Sequence, residues 1–285
     1  MKRLWMALGC ALAGGGVVLA QQAGWPASWT AKAEPYRLIG NVHQVGSAGL
    51  TALLITTPKG HILLDAGMPS YAPEVARNIE ALGFKPRDVR WLLNSHAHFD
   101  HSGGLAELKR LTGGKLAAMA QDRPALETGV YPGSEENASL KFPPVTVDRV
   151  LKDGEVIELG GVKLSAHLTP GHTAGCTTWT FPVVERGRRL DVLYYCSTSV
   201  AANRLVERPQ YPGIVGDYRR AFAKLKTMKA DVFLAPHGDQ YGLDAKRAGL
   251  PGSLVDPGEL SRRVAASEAD FDKQLAAQQQ KGAAR

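Results

Sequence analysis

Apolar and β-branched positions fall in short runs along the chain rather than in long blocks. Residues 50–57 and 61–65 are two such runs, joined at Pro58-Lys59-Gly60. Turn residues between two apolar runs predict a β-hairpin. Residues 73–82 follow with helical spacing, and Gly83 supplies the stop. Residues 89–94 predict a short buried strand, 104–111 a short helix and 115–119 a further strand. Residues 129–147 are rich in Pro, Gly and polar side chains, which predicts a long surface loop. Such loops in compact domains tend to be lids or binding elements.

The second half continues in the same style. Residues 155–159, 162–168, 177–183 and 190–196 predict successive strands. A helix is expected over 217–228, a strand over 232–235 and a C-terminal helix over 259–278. Strands mixed with hairpins and helices predict an α/β sandwich, with helices outside two sheets. Loops at one edge, held by rigid strands, would carry the chemistry. There is no fixed-period repeat, low-complexity block or long linker, so residues 21–285 read as a single domain.

The first twenty residues break this pattern. Lys2 and Arg3 precede an uncharged run from Leu4 to Ala20, which predicts a signal peptide over 1–20 with Gln21 as first mature residue. A spanning helix needs roughly 20 apolar residues, and Gly9, Gly14, Gly15 and Gly16 weaken that alternative. Cys10 lies too early for a lipoprotein signal. The expectation is a periplasmic or secreted protein of bacterial origin with no membrane anchor. Export implies an oxidising compartment. Cys176 and Cys196 then remain, in neighbouring expected strands, as a disulfide or as two free buried thiols.

Composition adds exclusions. Hydrophobic residues make up 44% of the 285, too many for a disordered chain. The formal charge of +7 is scattered, so nucleic-acid binding gains no support.

The chemistry concentrates in His96-Ala97-His98-Phe99-Asp100-His101. Alternate residues of an extended segment share a face, so His96 and His98 can reach one metal ion. Asp100 and His101 lie where the chain turns into the next helix and can serve a second. His172, in Pro170-Gly171-His172-Thr173, and His237, in Pro236-His237-Gly238, each follow an expected strand. A fixed backbone with an open approach suits a ligand there. Five His and one Asp supply two ions with three protein ligands each, and imidazole with carboxylate suits zinc. His43, His61 and His167 lack ligand-like partners and read as structural. Asp65, after an apolar strand, reads as a group that orients a ligand His or forms a turn. Trp25 and Trp29 either pack on the body or edge the active-site groove.

The His-x-His-x-Asp-His pattern with later single histidines resembles the metallo-β-lactamase superfamily. Leu63-Leu64-Asp65-Ala66-Gly67-Met68-Pro69, Gly171-His172-Thr173 and Asp217-Tyr218-Arg219-Arg220 narrow it to the third subclass of metallo-β-lactamases. That resemblance implies an αββα sandwich and two zinc ions per chain. It implies that His96, His98 and His172 hold the first ion, and Asp100, His101 and His237 the second. It implies hydrolysis of β-lactam antibiotics by a zinc-bound hydroxide, with Asp100 as the catalytic side chain that orients the nucleophile, and hence resistance. Relatives with other substrates usually carry a metal-bridging Asp after the third ligand. Here that stretch is Tyr195-Cys196-Ser197-Thr198-Ser199, with no acid. Ser197 stands at the ligand position, and period-two alternation would turn Cys196 to the opposite face. The same alternation puts Ser197 and Ser199 on one face, and the resemblance implies that they hydrogen-bond a substrate carboxylate or a water on the second zinc. The loop over 129–147 would close over the substrate, with Tyr131 as a contact. A lactone or thioester hydrolase of the same fold is the alternative, and a non-catalytic zinc protein a third reading.

Overall fold

The computed structural model describes residues 24–248 and 254–283. The signal peptide expected over 1–20 lies outside them. Seven strands form the first sheet: β1 (Tyr36–Ile39), β2 (Val42–Gln44), β3 (Leu53–Thr57), β4 (Gly60–Leu64), β5 (Val89–Leu93), β6 (Lys115–Met119) and β7 (Arg149–Leu151). They lie side by side in chain order. The first four pair antiparallel, and β4 to β7 pair parallel through helical crossovers. The second sheet runs in the order β12-β11-β10-β9-β8. Its strands are β8 (Val156–Leu159), β9 (Val162–Leu168), β10 (Thr177–Glu185), β11 (Arg188–Tyr194) and β12 (Val232–Leu234).

Side-chain alternation explains the layering. In β3, Leu53 and Ile55 face the second sheet, where they join Leu164, Ala166, Trp179 and Val192 in one core. Leu54 points the other way, to a second core with Leu63, Leu92 and Leu116. Helices α1 (Ala72–Ala81) and α3 (Leu105–Thr112) cover that face through Val75, Ile79, Leu105 and Leu108. Between them in sequence, the single turn α2 (Phe99–Ser102) carries Asp100 and His101. On the far side of the second sheet, α5 (Ile214–Leu225) and α7 (Glu259–Ala283) bury Tyr218, Phe222 and Phe271. This is the expected αββα sandwich. β3 and β4 are buried on both faces and so read as apolar runs, whereas β8 and β9 alternate buried with more exposed positions.

Several elements differ from expectation. The hairpin's first strand starts at Leu53 rather than residue 50, because Leu50 instead bridges to His237. The fifth helix starts at Ile214, three residues early, and α7 runs on to Ala283. The short strands β1, β2 and β7 and the helices α4 (Arg123–Thr128) and α6 (Leu243–Arg247) were not expected from the pattern. The loop over 129–147 is not a free surface loop. Tyr131, Phe142, Val145 and Val147 are buried in the second core.

Cys176 and Cys196 form a disulfide, with Cα atoms 5.8 Å apart and a sequence separation of 20. A loop of that length predicts a stabilisation of about 3 kcal/mol. Cys176→Ser with Cys196→Ser should therefore lower Tm by roughly 6–12 °C in calorimetry. An unchanged Tm would show that the bond adds nothing to the fold.

Candidate metal centre

The site lies at one edge of the sandwich, on segments that leave the ends of strands. β5 ends at Leu93 and the chain runs extended through His96 and His98 into α2. His172 follows β9, and His237 follows β12. The structure brings all six expected ligands together in two groups of three. In each group the ligand atoms lie within 4.8 Å of one another: His96, His98 and His172 in one, Asp100, His101 and His237 in the other.

In the first group the three imidazole rings stand 4.6–4.8 Å apart, centre to centre. The outer nitrogens of two of them are already engaged. His96 Nδ1 lies 3.0 Å from Ser95 Oγ, and His172 Nδ1 lies 2.8 Å from the Ser199 carbonyl. That fixes these two rings and leaves their Nε2 atoms available to a metal ion, as metal-binding histidines require. His96 Nε2 is buried with no hydrogen-bond partner. A buried polar atom without a partner is costly, and a metal ion answers that cost. Burial holds all three below the ordinary imidazole range, His172 to about 4. The neutral, ligand-competent form therefore dominates at neutral pH.

The second group is built on a carboxylate. Asp100 Oδ2 lies 3.1 Å from His101 Nε2 and 3.3 Å from His237 Nε2, and the two imidazole nitrogens are 3.0 Å apart. Burial opposes the Asp100 charge, but His101 and His237 outweigh it and hold the carboxyl well below its ordinary range. Burial also opposes a charged His101, and the Asp100 anion reverses this and raises it. The groups adjoin, with His96 and His101 rings 4.4 Å apart. The donor set, three imidazoles beside two imidazoles and a carboxylate, fits a pair of zinc ions.

Asp65 behaves as a positioning carboxylate. Fully buried, it accepts from Ser95 N at 2.6 Å, Ser95 Oγ at 2.7 Å and Tyr194 Oη at 2.8 Å, and lies 4.0 Å from His101 Nδ1. It therefore ties the back of His96 to a buried anchor through Ser95 and sets its carboxyl behind His101. Its φ of 62° is one that Asp tolerates better than most residues. Trp25 and Trp29 edge the groove: they stack on each other at 5.6 Å, and Trp29 lies 5.1 Å from His237. Tyr131 lies 4.3 Å from the His98 ring. His43 and His61 are structural, each set edge-on to Phe84, and His167 bonds Thr180 at 2.7 Å.

Ser197 and Ser199 require a correction of context. The strand ends at Tyr194, so both sit on the segment that follows it rather than on a strand face. A turn places them together: Ser199 N donates to Ser197 Oγ at 3.1 Å, and the two hydroxyls are 3.1 Å apart. Ser199 Oγ reaches within 3.3 Å of His172 Nδ1, while Ser197 is only 5% exposed. Cys196 does not turn clear of the site either. Its sulfur lies 3.7 Å from His96 Nδ1, tied to Cys176.

Asp122 gives no signal in the sequence. At 3% exposure it accepts from Ala97 N (2.8 Å), Thr173 Oγ1 (3.1 Å) and Gly175 N (2.8 Å). These bonds fasten the segments that carry His98 and His172 to one group. Glycine is needed at 175, where a Cβ would lie 2.5 Å from Asp122. Gly171, with φ +141°, packs its backbone against Tyr218, where a Cβ would come within 2.6 Å of the ring.

Known proteins bear on this geometry. A family model described as Metallo-beta-lactamase superfamily matches residues 49–237. The structure is similar to a subclass B3 metallo-beta-lactamase of Bradyrhizobium japonicum. The two are 48% identical with a TM-score of 0.86, over 90% of this chain and 98% of that one. It is similar to the native metallo-beta-lactamase of Legionella gormanii at 35% identity and TM-score 0.85, over 90% and 99% of the two chains. A hydroxyacylglutathione hydrolase of Rhodospirillum rubrum is 28% identical over 202 residues, 71% of this chain and 66% of that protein. The first curated relatives are matched over only 30–66% of their own lengths. The match covers both ligand groups and the strands that hold them, and the chain belongs to the metallo-beta-lactamase superfamily of hydrolases.

Proposed function

We propose that this chain is a two-zinc enzyme that opens the amide bond of β-lactam antibiotics, and so confers resistance. One observation carries the reading. The segment packed on His172 after β11 offers hydroxyls, Ser197 and Ser199, and no carboxylate. Thioester and lactone hydrolases of this fold are expected to bridge their metals with an acid there. The likeness to a subclass B3 enzyme over nearly its whole chain supports it.

In this reading His96, His98 and His172 hold one ion, and Asp100, His101 and His237 the other. When bound, the ions supply Lewis acidity and a water acidic enough to ionise near neutral pH. The chain does the rest. Asp100 stays anionic and would orient the attacking water by accepting a hydrogen bond from it. Ser199, with Ser197 behind it, donates to the substrate carboxylate. Trp29 and Trp25 form an apolar wall beside His237. An exported location, periplasmic or secreted, accords with the disulfide, since oxidising compartments sustain such bonds.

The test is carbapenem hydrolysis, followed in the ultraviolet, by the purified protein. Turnover should stop with a chelator and return with zinc, and metal analysis should give two ions per chain. One ion per chain in zinc-replete buffer would sink the two-metal reading. No turnover by protein carrying two ions would favour the thioester reading that the hydroxyacylglutathione hydrolase match offers.

A further inference from the structure

A cavity of about 350 Å³ lies beside the first ligand group, with His98 and His172 in its wall. A molecule engaged at those residues can extend into it. The volume is in the range that encloses small organic groups, and more than twice the ~150 Å³ that accommodates benzene. Ala125, Val130, Pro132 and Tyr211 supply apolar wall from α4, the following loop and the segment before α5.

The polar groups of this cavity differ in what they have to spare. Asp122 is occupied by its three donors. Asn203 Nδ2 donates to the His172 carbonyl and to Tyr218 Oη, and Tyr211 Oη donates to the Gly171 carbonyl. Gln210 donates its amide to the Pro132 carbonyl. A carbonyl only accepts, so the nitrogen must face it, and Gln210 Oε1 is left with no partner. Glu135, exposed at the rim, accepts from Gly133 N at 2.7 Å through Oε2. Its other oxygen takes no hydrogen bond and no cation among the described residues. Gln121 adds one amide of either sense. Among the described lining residues none is Lys or Arg. The spare capacity is that of acceptors, with a net negative charge at the rim.

We propose that this cavity is the side-chain pocket of the substrate, and that it takes an aromatic-sized apolar group bearing an ammonium directed at Glu135. The inference rests on the proposed function only in placing the reacting bond at the two ligand groups. The cavity and its chemistry stand without it. Glu135 here is a specificity residue and touches no reacting atom.

The experiment uses the full chain in two forms. With zinc bound, two penicillins are compared, one with a phenylacetyl side chain and one with the same ring carrying a para-aminomethyl group. The charged compound should be preferred in kcat/KM by about three- to fivefold, the scale of one exposed ion pair. The preference should lie in KM, fade with added salt, vanish in Glu135→Gln and reverse in Glu135→Lys. Ala125→Phe, which fills the cavity, should lower kcat/KM for both by about tenfold. Without metal, benzylammonium should shift the Ala125 and Val130 methyl signals saturably, and benzyl alcohol more weakly. An unchanged preference in Glu135→Gln, or equal binding of the two probes, would overturn the proposal. If no β-lactam is turned over, the functional reading fails by itself, and the probe titration then decides the pocket alone.

Discussion

Asp100→Asn is expected to lower kcat for carbapenem hydrolysis by about 10³-fold, the scale of losing a positioned acid–base and electrostatic group. The side chain keeps its shape but loses its charge. Asp100 is 6% exposed, and Oδ2 is within 3.3 Å of both His101 Nε2 and His237 Nε2. It is the only carboxylate among the six grouped ligand residues, so the second group becomes neutral in the variant. A neutral amide binds zinc weakly beside two imidazoles, and metal content should fall from two ions per chain to about one. The first group should be spared, since its rings are fixed by Ser95 and the Ser199 carbonyl. Retention of two ions with full turnover would remove Asp100 from the mechanism. Two ions with turnover lost would leave it as the group that orients the nucleophile without being needed to hold the metal.

The ligand set was legible because four of its members fall within six residues, and because His172 and His237 follow apolar strands beside Gly or Pro. Local spacing alone carries that information. What escaped depends on contacts distant in sequence. Residues 129–147 are polar and Pro-rich, so they read as surface. Yet Phe142 and Val145 are buried against the helices of the first sheet, a fact no local window contains. β1 and β2 are three or four residues long, and their mixture of Arg, His and Gln with apolar residues hides the strand period. Ser197 and Ser199 lie together, as the alternation predicts, but for a different reason. A turn after β11 sets their hydroxyls 3.1 Å apart, not strand alternation. Asp65 could be read only as a positioning group or a turn former. The structure makes it both, with three donors and a positive φ. Asp122 carries no local signal, since the helix it precedes, α4, is itself not expected from the pattern. It makes no capping bond, and its carboxylate serves Ala97, Thr173 and Gly175 instead.

That arrangement makes Asp122→Ala the second large effect. Removing the carboxylate strands two buried backbone N–H groups and one hydroxyl, each costing about 1–3 kcal/mol. Part of this is returned, because the wild type keeps a carboxyl where burial pushes it up to about 6. The net loss of unfolding free energy should be about 4 kcal/mol near pH 4 in metal-free protein, read from urea unfolding. The pH dependence has a definite sign. A carboxyl whose folded pKa exceeds its unfolded value of 3.8 binds its proton longer in the native state. Its contribution is therefore fully present below pH 3.8 and declines as pH rises through 6. The gap between wild type and Asp122→Ala should accordingly narrow by about 2 kcal/mol between pH 4 and pH 8. A gap that widens over that range would mean the three donors outweigh burial and hold Asp122 below 3.8. Metal binding adds a second readout. The bonds to Ala97, Thr173 and Gly175 hold the segments of His98 and His172 in one frame, so their loss should weaken the first zinc about 10–100-fold. Stability and zinc affinity should fall together, because the same carboxylate closes the fold at this edge and sets the distance between two ligands.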